Sequence, residues 1–324
     1  MLLIVSNKTD LATDYLILRL HERSVPFLRI NTEDYLSSWD VCFSIEKNGT
    51  HVVIRKEGQE SLSVESFTGA YIRQPKMPNL DIVDEDKEFA KREVGETLKS
   101  LWRAIDESVW LNAPHRLLRA SNKPEQLTIA NSIGFNIPDT YVGANYESIK
   151  KFYGDHSGEI IAKAVKHGFN FDRDKARVAA TQKIDEAALD SLKDYVAIPM
   201  IFQNHIAKKY DIRVIVVGSE VFVTAIESQN HEETKIDWRL SDCYKIPLTQ
   251  YEITLPQKIK NLCLDITKSF NLRYSAIDLV LGKDGVYYFL ELNPNGQWAW
   301  VEQLGIHKIR DTIIDILLFN RGTM

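Results

Sequence analysis

The sequence predicts an α/β protein that opens with a βαβ unit, continues through a smaller α/β unit and ends in a sheet built from hairpins. Three observations predict this class. Short apolar runs alternate with helical patterns in the first third, the centre repeats that alternation on a shorter scale, and β-rich runs flank tight-turn residues in the last third. The length of 324 residues suits about two domains or three small ones.

The first third carries the strand, helix, strand pattern of a βαβ unit, and a hairpin follows at Asn48-Gly49, a strong tight-turn pair. A charged amphipathic helix closes this part, and we place the first domain at residues 1–114. The predicted elements are strands at Leu2–Ser6, Pro26–Ile30, Val41–Glu46, His51–Arg55 and Gly69–Arg73, and helices at about Asp10–Arg23 and Asp84–Ser108.

Two further domains follow, a central one over residues 115–194 and a C-terminal one over residues 195–324. The first helix of the central domain starts at a capping box, Asn122 with Glu125, and stops at Gly134. The last third is dominated by two hairpins. The other predicted elements are strands at Ile137–Val142 and Glu159–Ala164 and a terminal helix at about His307–Phe319.

Composition and charge argue against several function classes. The net charge is -5, from 40 Lys and Arg against 45 Asp and Glu mixed along the whole length, which is unlike a dedicated nucleic-acid binder. The glycine-rich loops of dinucleotide folds and P-loop proteins are absent. No signal peptide and no apolar run of about 18 residues occurs, and the three scattered cysteines are typical of reduced thiols. We therefore expect a cytoplasmic protein without a membrane partner.

The segment Tyr274–Asn293 carries an arrangement of acids that points to chemistry. Asp284-Gly285 is a tight-turn pair between two apolar, β-rich runs. If these two residues form the loop, counting outward along both strands sets Asp278 directly opposite Glu291. Strand alternation then puts Asp278, Glu291 and Asn293 on one face. The other face, which we expect in the core, carries Ile277, Leu279 and Leu281 with Tyr288, Leu290 and Leu292.

Two opposed carboxylates need a compensating positive charge, because like charges across a strand pair destabilise a sheet. Two carboxylates and an amide oxygen, with no sulphur or imidazole, suit Mg²⁺, so Asp278, Glu291 and Asn293 are candidate magnesium ligands. The residues leave two alternatives open. The pair is partly solvated with one raised carboxyl pKa, or an arginine neutralises it.

The run from Phe289 to Trp298, FLELNPNGQW, resembles that of the ATP-grasp ligases, and more narrowly that of the microviridin-type graspetide synthetases, which mature ribosomal peptides. Five further tripeptides occur in the order that this family shows, so the resemblance spans nearly the whole chain. They are Tyr71-Ile72-Arg73, Asn122-Lys123-Pro124, Ile161-Ala162-Lys163, Asp211-Ile212-Arg213 and Asp237-Trp238-Arg239.

The resemblance implies an ATP-grasp fold and an ATP-dependent carboxylate ligase that cyclises a peptide. Such an enzyme transfers the γ-phosphoryl group of ATP to a side-chain Asp or Glu of a ribosomal precursor peptide. A Thr or Ser hydroxyl, or a Lys amine, of the same peptide then attacks the acyl phosphate and closes an ω-ester or ω-amide ring. The sequence does not decide between ester and amide, and it identifies no general base.

The resemblance also implies an ATP site. Lys123 and Lys163 would hold the phosphates, and Lys163 precedes a basic loop at Lys166-His167-Gly168. Asn204 departs from the related glutamate-adding ligases, which carry Glu there, so the ribose role moves toward Asp211. The complete implied ATP-binding set is Lys123, Lys163, Gln203, Asn204, His205, Asp211 and Arg239.

Three arginines are the implied catalytic candidates, because the planar guanidinium group matches carboxylates and phosphates bidentately. Arg239 resembles a phosphate clamp, whereas Arg213 and Arg73 would hold the acidic side chain of the substrate. A purely structural alternative stays open, in which Asp211 and Arg213 pair with other charges of the sheet.

The implied cofactors are ATP and two Mg²⁺ ions. The implied partner is a precursor peptide with a leader, which docks on the central domain, and an acidic, Thr-rich core; a homodimer is also expected. Two other functions remain open. One is an ATP-grasp ligase that adds a free amino acid to a small molecule or a protein tail, and the other is an ATP-binding module without catalysis.

Overall fold

The computed structural model describes residues 1–80, 82–166, 169–172, 175–178, 180–194, 198–305 and 307–319. Up to residue 122 its elements are β1 (Leu2–Ser6), α1 (Leu11–Glu22), β2 (Phe27–Asn31), β3 (Trp39–Glu46), β4 (Gly49–Lys56), β5 (Leu62–Ser63), β6 (Gly69–Ile72), α2 (Asp84–Ala104) and α3 (Pro114–Ala120). The α/β class predicted from the sequence is confirmed.

The remaining elements follow from residue 123 onward. They are α4 (Lys123–Ile133), β7 (Thr140–Gly143), α5 (Tyr146–Asp155), β8 (Ile160–Ala164), β9 (Phe169–Asp172), β10 (Lys175–Val178), β11 (Gln182–Ile184), α6 (Glu186–Ser191), β12 (Met200–Asn204), β13 (Lys208–Val217), β14 (Glu220–Ile226), α7 (Leu240–Tyr244), β15 (Gln250–Glu252), α8 (Gln257–Ser269), β16 (Tyr274–Gly282), β17 (Tyr287–Asn293), α9 (Ala299–Gln303) and α10 (Ile309–Phe319). No helix of the described chain is long and apolar enough to cross a membrane.

The elements group into two compact units. The first comprises Met1–Leu117, Asn271–Tyr274 and the chain from Asn295 onward, and the second comprises Leu118–Phe270 and Ser275–Pro294. The division into domains at 1–114, 115–194 and 195–324 stays a prediction.

The first unit contains the expected βαβ opening. Strand β1 pairs in parallel with both β2 and β6. Its side chains Leu3 and Val5 are fully buried and belong to the same core as Leu98 and Leu101 of α2. The predicted hairpin is also present, as β3 and β4. Because Glu46 pairs with Gly49, its two-residue loop is Lys47-Asn48 and Gly49 already belongs to β4.

The second unit holds the two-stranded sheet of β9 and β10 and two larger sheets. One has the strand order β11-β8-β12-β7 and the other the order β15-β14-β13-β16-β17. The predicted helix ends of α4 are confirmed: the Asn122 side chain accepts the Glu125 N–H at 3.0 Å, and Gly134 ends the helix with a left-handed φ of 101°. A glycine suits that position because it lacks a Cβ.

In the hairpin of β16 and β17 the two acids pair as predicted, but the loop and the register beside it differ from the prediction. Gly282 N–H donates to Val286 O at 2.8 Å, so the loop is the three residues 283–285 and the predicted two-residue turn is wrong. Leu279 therefore pairs with Phe289. One extra residue, Leu290, then bulges from β17, and Asp278 faces Glu291 as predicted. The extra loop residue shifts the strand register by one residue, and the bulge shifts it back, so the predicted pair is kept.

The bulge changes which side chains enter the core. Phe289 is fully buried, whereas Tyr288 and Leu290, which the alternation pattern assigned to the apolar face, are only half-buried. Phe289 packs against Phe135 with ring centroids 5.3 Å apart. The predicted burial of Ile277, Leu279 and Leu292 is confirmed.

Candidate active site

The acidic pair of the hairpin lies on the face opposite the core. Asp278 and Glu291 are direct cross-strand neighbours, and Asn293, which pairs with Ala276, lies two residues further along β17 on the same face. Ile277 and Leu292 point the other way and are buried, which fixes the strands in this register. The hairpin thus brings two carboxylates and one amide together.

Helix α4 delivers a lysine to this pair. Gln126 binds the backbone of β17 at both ends of its amide: Nε2 donates to Leu292 O at 2.7 Å, and Oε1 accepts the Leu292 N–H at 2.9 Å. One helical turn earlier, Lys123 Nζ lies 3.1 Å from Glu291 Oε2 and 3.4 Å from Ala164 O. Gln126 therefore sets the position from which Lys123 reaches the acid.

Lys163 on β8 is the second lysine of the cluster. Loss of hydration on burial lowers the pKa of Lys163 to about 8; the Glu291 carboxylate opposes this shift, and the Lys123 ammonium adds to it. At neutral pH the group is largely charged and ready to bind an anion. Two residues of the predicted basic loop that follows, His167 and Gly168, lie outside the described residues.

Two arginines complete the charge balance around the acids. Arg213 Nη1 donates to Asp278 Oδ1 at 2.8 Å. Arg239 is held by Asp237 through two hydrogen bonds of 2.8 Å, and its Nη1 lies 3.5 Å from Glu291 Oε1. The acidic pair therefore has the arginine partners of the second open alternative.

The pKa values of the two carboxyl groups are shifted in opposite directions. Burial raises the pKa of Asp278, and the neighbouring Glu291 carboxylate adds to this, against the Arg213 guanidinium. Burial alone would also raise the pKa of Glu291, but Lys123, Lys163 and Arg239 outweigh it and bring that pKa to about 2. Glu291 is thus the firmly ionised member.

Gln203 and Asn204, two of the predicted ATP-binding residues, are consecutive on β12, so their side chains lie on opposite faces of the sheet. Gln203 shares a face with Lys163, because Ile201 pairs with Lys163 and Gln203 pairs with Ile161 on the same two strands. Gln203 is fully buried; its Nε2 donates to Thr140 Oγ1 at 2.9 Å, and its Oε1 has no partner among the described residues. Asn204 lies on the other face.

Asp211 and His205 have partners of their own. Asp211 is buried, accepts hydrogen bonds from Lys208 Nζ at 2.9 Å and from Ser228 Oγ, and lies on β13. His205 Nδ1 lies 3.5 Å from Glu159 Oε2. Asp211 thus pairs with another charge of the sheet, Lys208, as the structural alternative has it.

Arg73 belongs to the first unit and is fully buried there. Its Nε lies 3.1 Å from Asp10 Oδ2, and its Nη1 donates to Asn295 O at 2.8 Å. Its observed contacts are an internal ion pair and a backbone carbonyl of the loop after β17.

Sequence reasoning missed three residues that hold this site in place. Gln126 fixes α4 on β17, Asp237 holds Arg239, and Lys208 neutralises Asp211. The tripeptide Asp237-Trp238-Arg239 contained the signal for Asp237, since an aspartate side chain in a turn accepts the backbone N–H two residues on, as it does here from Arg239 at 3.1 Å. Nothing in the sequence near Gln126 indicates a contact with a strand more than 160 residues away.

The donor set suits one kind of metal. Among the residues described, no group of three or more His, Cys, Asp or Glu side chains is placed to hold a metal ion. The two carboxylates and the Asn293 amide fit a hard cation that completes its shell with water and phosphate oxygens, as Mg²⁺ does.

Comparisons with known proteins agree on a family. Residues 120–317 match the RimK-like ATP-grasp domain. β-Citrylglutamate synthase B of Homo sapiens is 25% identical over 187 residues, which are 57% of this chain and 46% of that protein. A probable α-L-glutamate ligase of Haemophilus influenzae is 23% identical over 212 residues, 65% of this chain and 67% of its own. The chain thus spans about half the length of the first of these relatives.

Solved structures match over nearly the whole chain. A Chryseobacterium gregarium RiPP-associated ATP-grasp ligase, in complex with ADP and a leader and core peptide, has a TM-score of 0.89 at 26% identity and covers 98% of this chain and 96% of its own. The macrocyclase MdnC of Microcystis aeruginosa, bound with its precursor peptide, has a TM-score of 0.85 at 23% identity, covering 98% and 99%. The predicted ATP-grasp fold and the resemblance to peptide-modifying ATP-grasp ligases are confirmed.

Proposed function

This chain belongs to the RimK-like ATP-grasp family, and we propose that it is an ATP-dependent ligase that activates side-chain carboxylates of a ribosomal precursor peptide. The observation that carries the proposal is the cluster around Asp278 and Glu291, in which two opposed acids are ringed by Lys123, Lys163 and Arg239. The cationic side chains of such a cluster suit the phosphates of a nucleoside triphosphate, and its acids suit the metal ion that accompanies them.

The residues present fit ATP with magnesium. Asp278, Glu291 and Asn293 would hold Mg²⁺, with two ions as the proposed number, and the metal would neutralise charge on the phosphate oxygens. The buried Gln203 Oε1 lacks a donor, and it lies on the same face as Lys163. The exocyclic amine of adenine would supply such a donor, so we assign Gln203 to the adenine side of the site.

The remaining groups act by position and charge. Carboxylates resist nucleophiles because their charge repels attack and oxide leaves poorly. Lys123 and Lys163 would hold the phosphates while an Asp or Glu oxygen of the peptide attacks the γ-phosphorus and the bond to ADP breaks. A hydroxyl or amine of the same peptide then attacks the acyl carbon, loses its proton, and expels phosphate, which closes an ω-ester or ω-amide ring.

Arg213 and Arg239 keep the roles implied for them as proposals. Arg239 is half-exposed and firmly held by Asp237, which suits a phosphate clamp with a fixed guanidinium plane. Arg213 would release Asp278 to the metal and turn to an acidic side chain of the peptide. Asp211 remains the proposed ribose contact, and Asn204 and His205 remain proposed members of the ATP-binding set. Arg73 remains a proposed contact of the acidic substrate side chain.

The extent of the likenesses favours a peptide over a free amino acid as substrate. The RiPP-associated ligase has a TM-score of 0.89 over 98% of this chain, and its structure is a complex with a leader and core peptide. A ligase that adds an amino acid to a small molecule is the second candidate, because the curated relatives carry such names.

Mass spectrometry separates these candidates. The chain is incubated with ATP, Mg²⁺ and a candidate precursor rich in Thr, Glu and Asp, and the peptide is expected to lose the mass of one water for each ring. ADP release that requires a free amino acid and leaves every peptide unchanged would replace this proposal with the second candidate.

We also propose a homodimer and a cytoplasmic location. The three cysteines of the chain are free thiols, which suits a reducing compartment. Light scattering on the purified chain tests the dimer, and a mass of 37.2 kDa would contradict it. Fractionation of cells that express the chain tests the location.

A further inference from the structure

The outer strand of the smaller sheet borders a groove that contains none of the lysines and acids of the cluster around Asp278 and Glu291. Strand β7 stands at the end of the order β11-β8-β12-β7, so its outer edge carries no partner strand within the described part of the chain. A cavity of about 550 Å³ runs beside it and is lined by both α4 and β7. Its apolar and amide lining includes Leu127, Asn131, Phe135, Pro138, Val142 and Tyr288.

A second, smaller cavity joins this groove at one residue. It measures about 260 Å³, and Asp139, the residue before β7, lines both cavities. The backbone fixes its walls, because Asn204 N–H donates to Asp139 O at 3.1 Å and His205 N–H donates to Glu159 O at 2.8 Å. The lining residues are Asp139, His156, Ser157, Glu159, Asn204 and His205.

One buried acceptor of this acidic pocket lacks a hydrogen-bond donor among the described residues. Asn204 Oδ1 is buried and accepts no hydrogen bond from any described residue. Asp139 is 78% exposed at its side chain, and His156 Nε2, at 3.6 Å, lies beyond hydrogen-bond distance. A buried acceptor without a donor is unfavourable, so the pocket would gain from a group rich in N–H.

The charge of the pocket also favours a cation. Two carboxylates line it. Lys183 Nζ lies 2.8 Å from both oxygens of Glu159 and neutralises that carboxylate. Burial lowers the pKa of His205, so this imidazole is neutral at neutral pH. Asp139 is left as a carboxylate without a basic Lys or Arg partner among the described residues.

We propose that this pocket takes a lysine or arginine side chain of a polypeptide that lies in extended form along the edge of β7. The ammonium or guanidinium group donates to Asn204 Oδ1 and to the Asp139 carboxylate, while the backbone of the polypeptide pairs with the open edge of β7 and its apolar side chains occupy the groove. The groove beside the pocket selects a polypeptide over a small free amine.

The pocket shares Asn204 and His205 with the implied ATP-binding set, so peptide binding is measured in the absence of nucleotide. Its probe is a fluorescein-labelled pentapeptide of alternating valine and threonine with a central arginine. The matched probe carries citrulline, which has the same shape without the charge, and spermidine serves as a free polyamine. Binding to the full chain is followed by fluorescence anisotropy.

The arginine peptide is expected to bind about fivefold more tightly than the citrulline peptide, the factor that one partly exposed ion pair supplies. Asp139→Asn should remove that difference. Asp155→Asn, at an exposed acid of α5 outside the pocket, should keep it. Equal affinities of the two peptides for the unaltered chain, or an Asp139→Asn variant that still discriminates, would overturn the proposal. Spermidine binding without peptide binding would overturn the polypeptide as the ligand.

Discussion

Lys123 Nζ and Glu291 Oε2 lie 3.1 Å apart and join the first turn of α4 to the acid-bearing strand β17. A cation in the first turn of a helix opposes the helix dipole, so the stability of α4 does not explain a lysine there. The lysine is instead placed by Gln126, whose amide holds α4 on the backbone of Leu292. A nucleotide phosphate would compete with Glu291 for the same ammonium group.

Glu291→Gln tests the acidic pair. The change keeps the shape of the side chain and removes its charge, and ADP formation should fall by at least about a hundredfold, as for loss of a charged group at a reacting centre. A coupled assay of ADP release measures this. Glu220→Gln, at an exposed acid that begins β14, is the matched control. Full activity in the Glu291 variant would remove the metal role.

Gln203→Met tests the assignment of the adenine site. The change keeps the length of the side chain and removes the buried Oε1 acceptor, so the KM for ATP should rise by about tenfold, the cost of one lost buried hydrogen bond, with little change in kcat. Thr140→Val removes only the partner of Gln203 Nε2 and should have a smaller effect. Equal effects of the two variants would place the adenine elsewhere.

The pairing of the two acids could be predicted from sequence because both strands alternate and a tight-turn pair separates them. The loop length and the bulge could not be predicted. The extra loop residue and the bulge at Leu290 leave no pattern in the sequence, and they decide that Phe289 enters the core. The ion pairs of Lys123 and Lys208 were also missed, because long-range contacts depend on packing that no local pattern encodes.

The pKa of Lys163, lowered to about 8 by burial, predicts proton uptake when a nucleotide binds. Phosphates favour the charged ammonium and raise its pKa, so near pH 8 the chain should take up about half a proton when ADP binds. The uptake should vanish well below that pH, where Lys163 is already charged. Calorimetry in buffers of different ionisation enthalpy measures it.

Lys163→Arg serves as the control for this experiment, since arginine stays charged across the whole range. ADP should still bind to this variant, without the proton uptake. Uptake of the same size in both proteins would assign the proton to another group.

Arg73→Met tests whether the buried pair with Asp10 supports the first unit. Both side chains are 1% exposed, so removal of the guanidinium leaves an unpaired buried carboxylate and should lower the free energy of unfolding by about 3 to 5 kcal/mol. Denaturant titration measures the change. Arg55→Met, which breaks the exposed pair with Asp40, should have little effect. Equal stability of the two variants would contradict a structural role for Arg73.

The central claim is that ATP phosphorylates a side-chain carboxylate of the peptide. The most direct measurement uses a precursor whose Asp and Glu carboxylates carry the heavy oxygen isotope and follows that isotope into the inorganic phosphate. Ring closure through an acyl phosphate predicts one heavy oxygen in each phosphate released, together with one ring per ADP. Phosphate without the isotope, formed while ADP accumulates, would contradict the account.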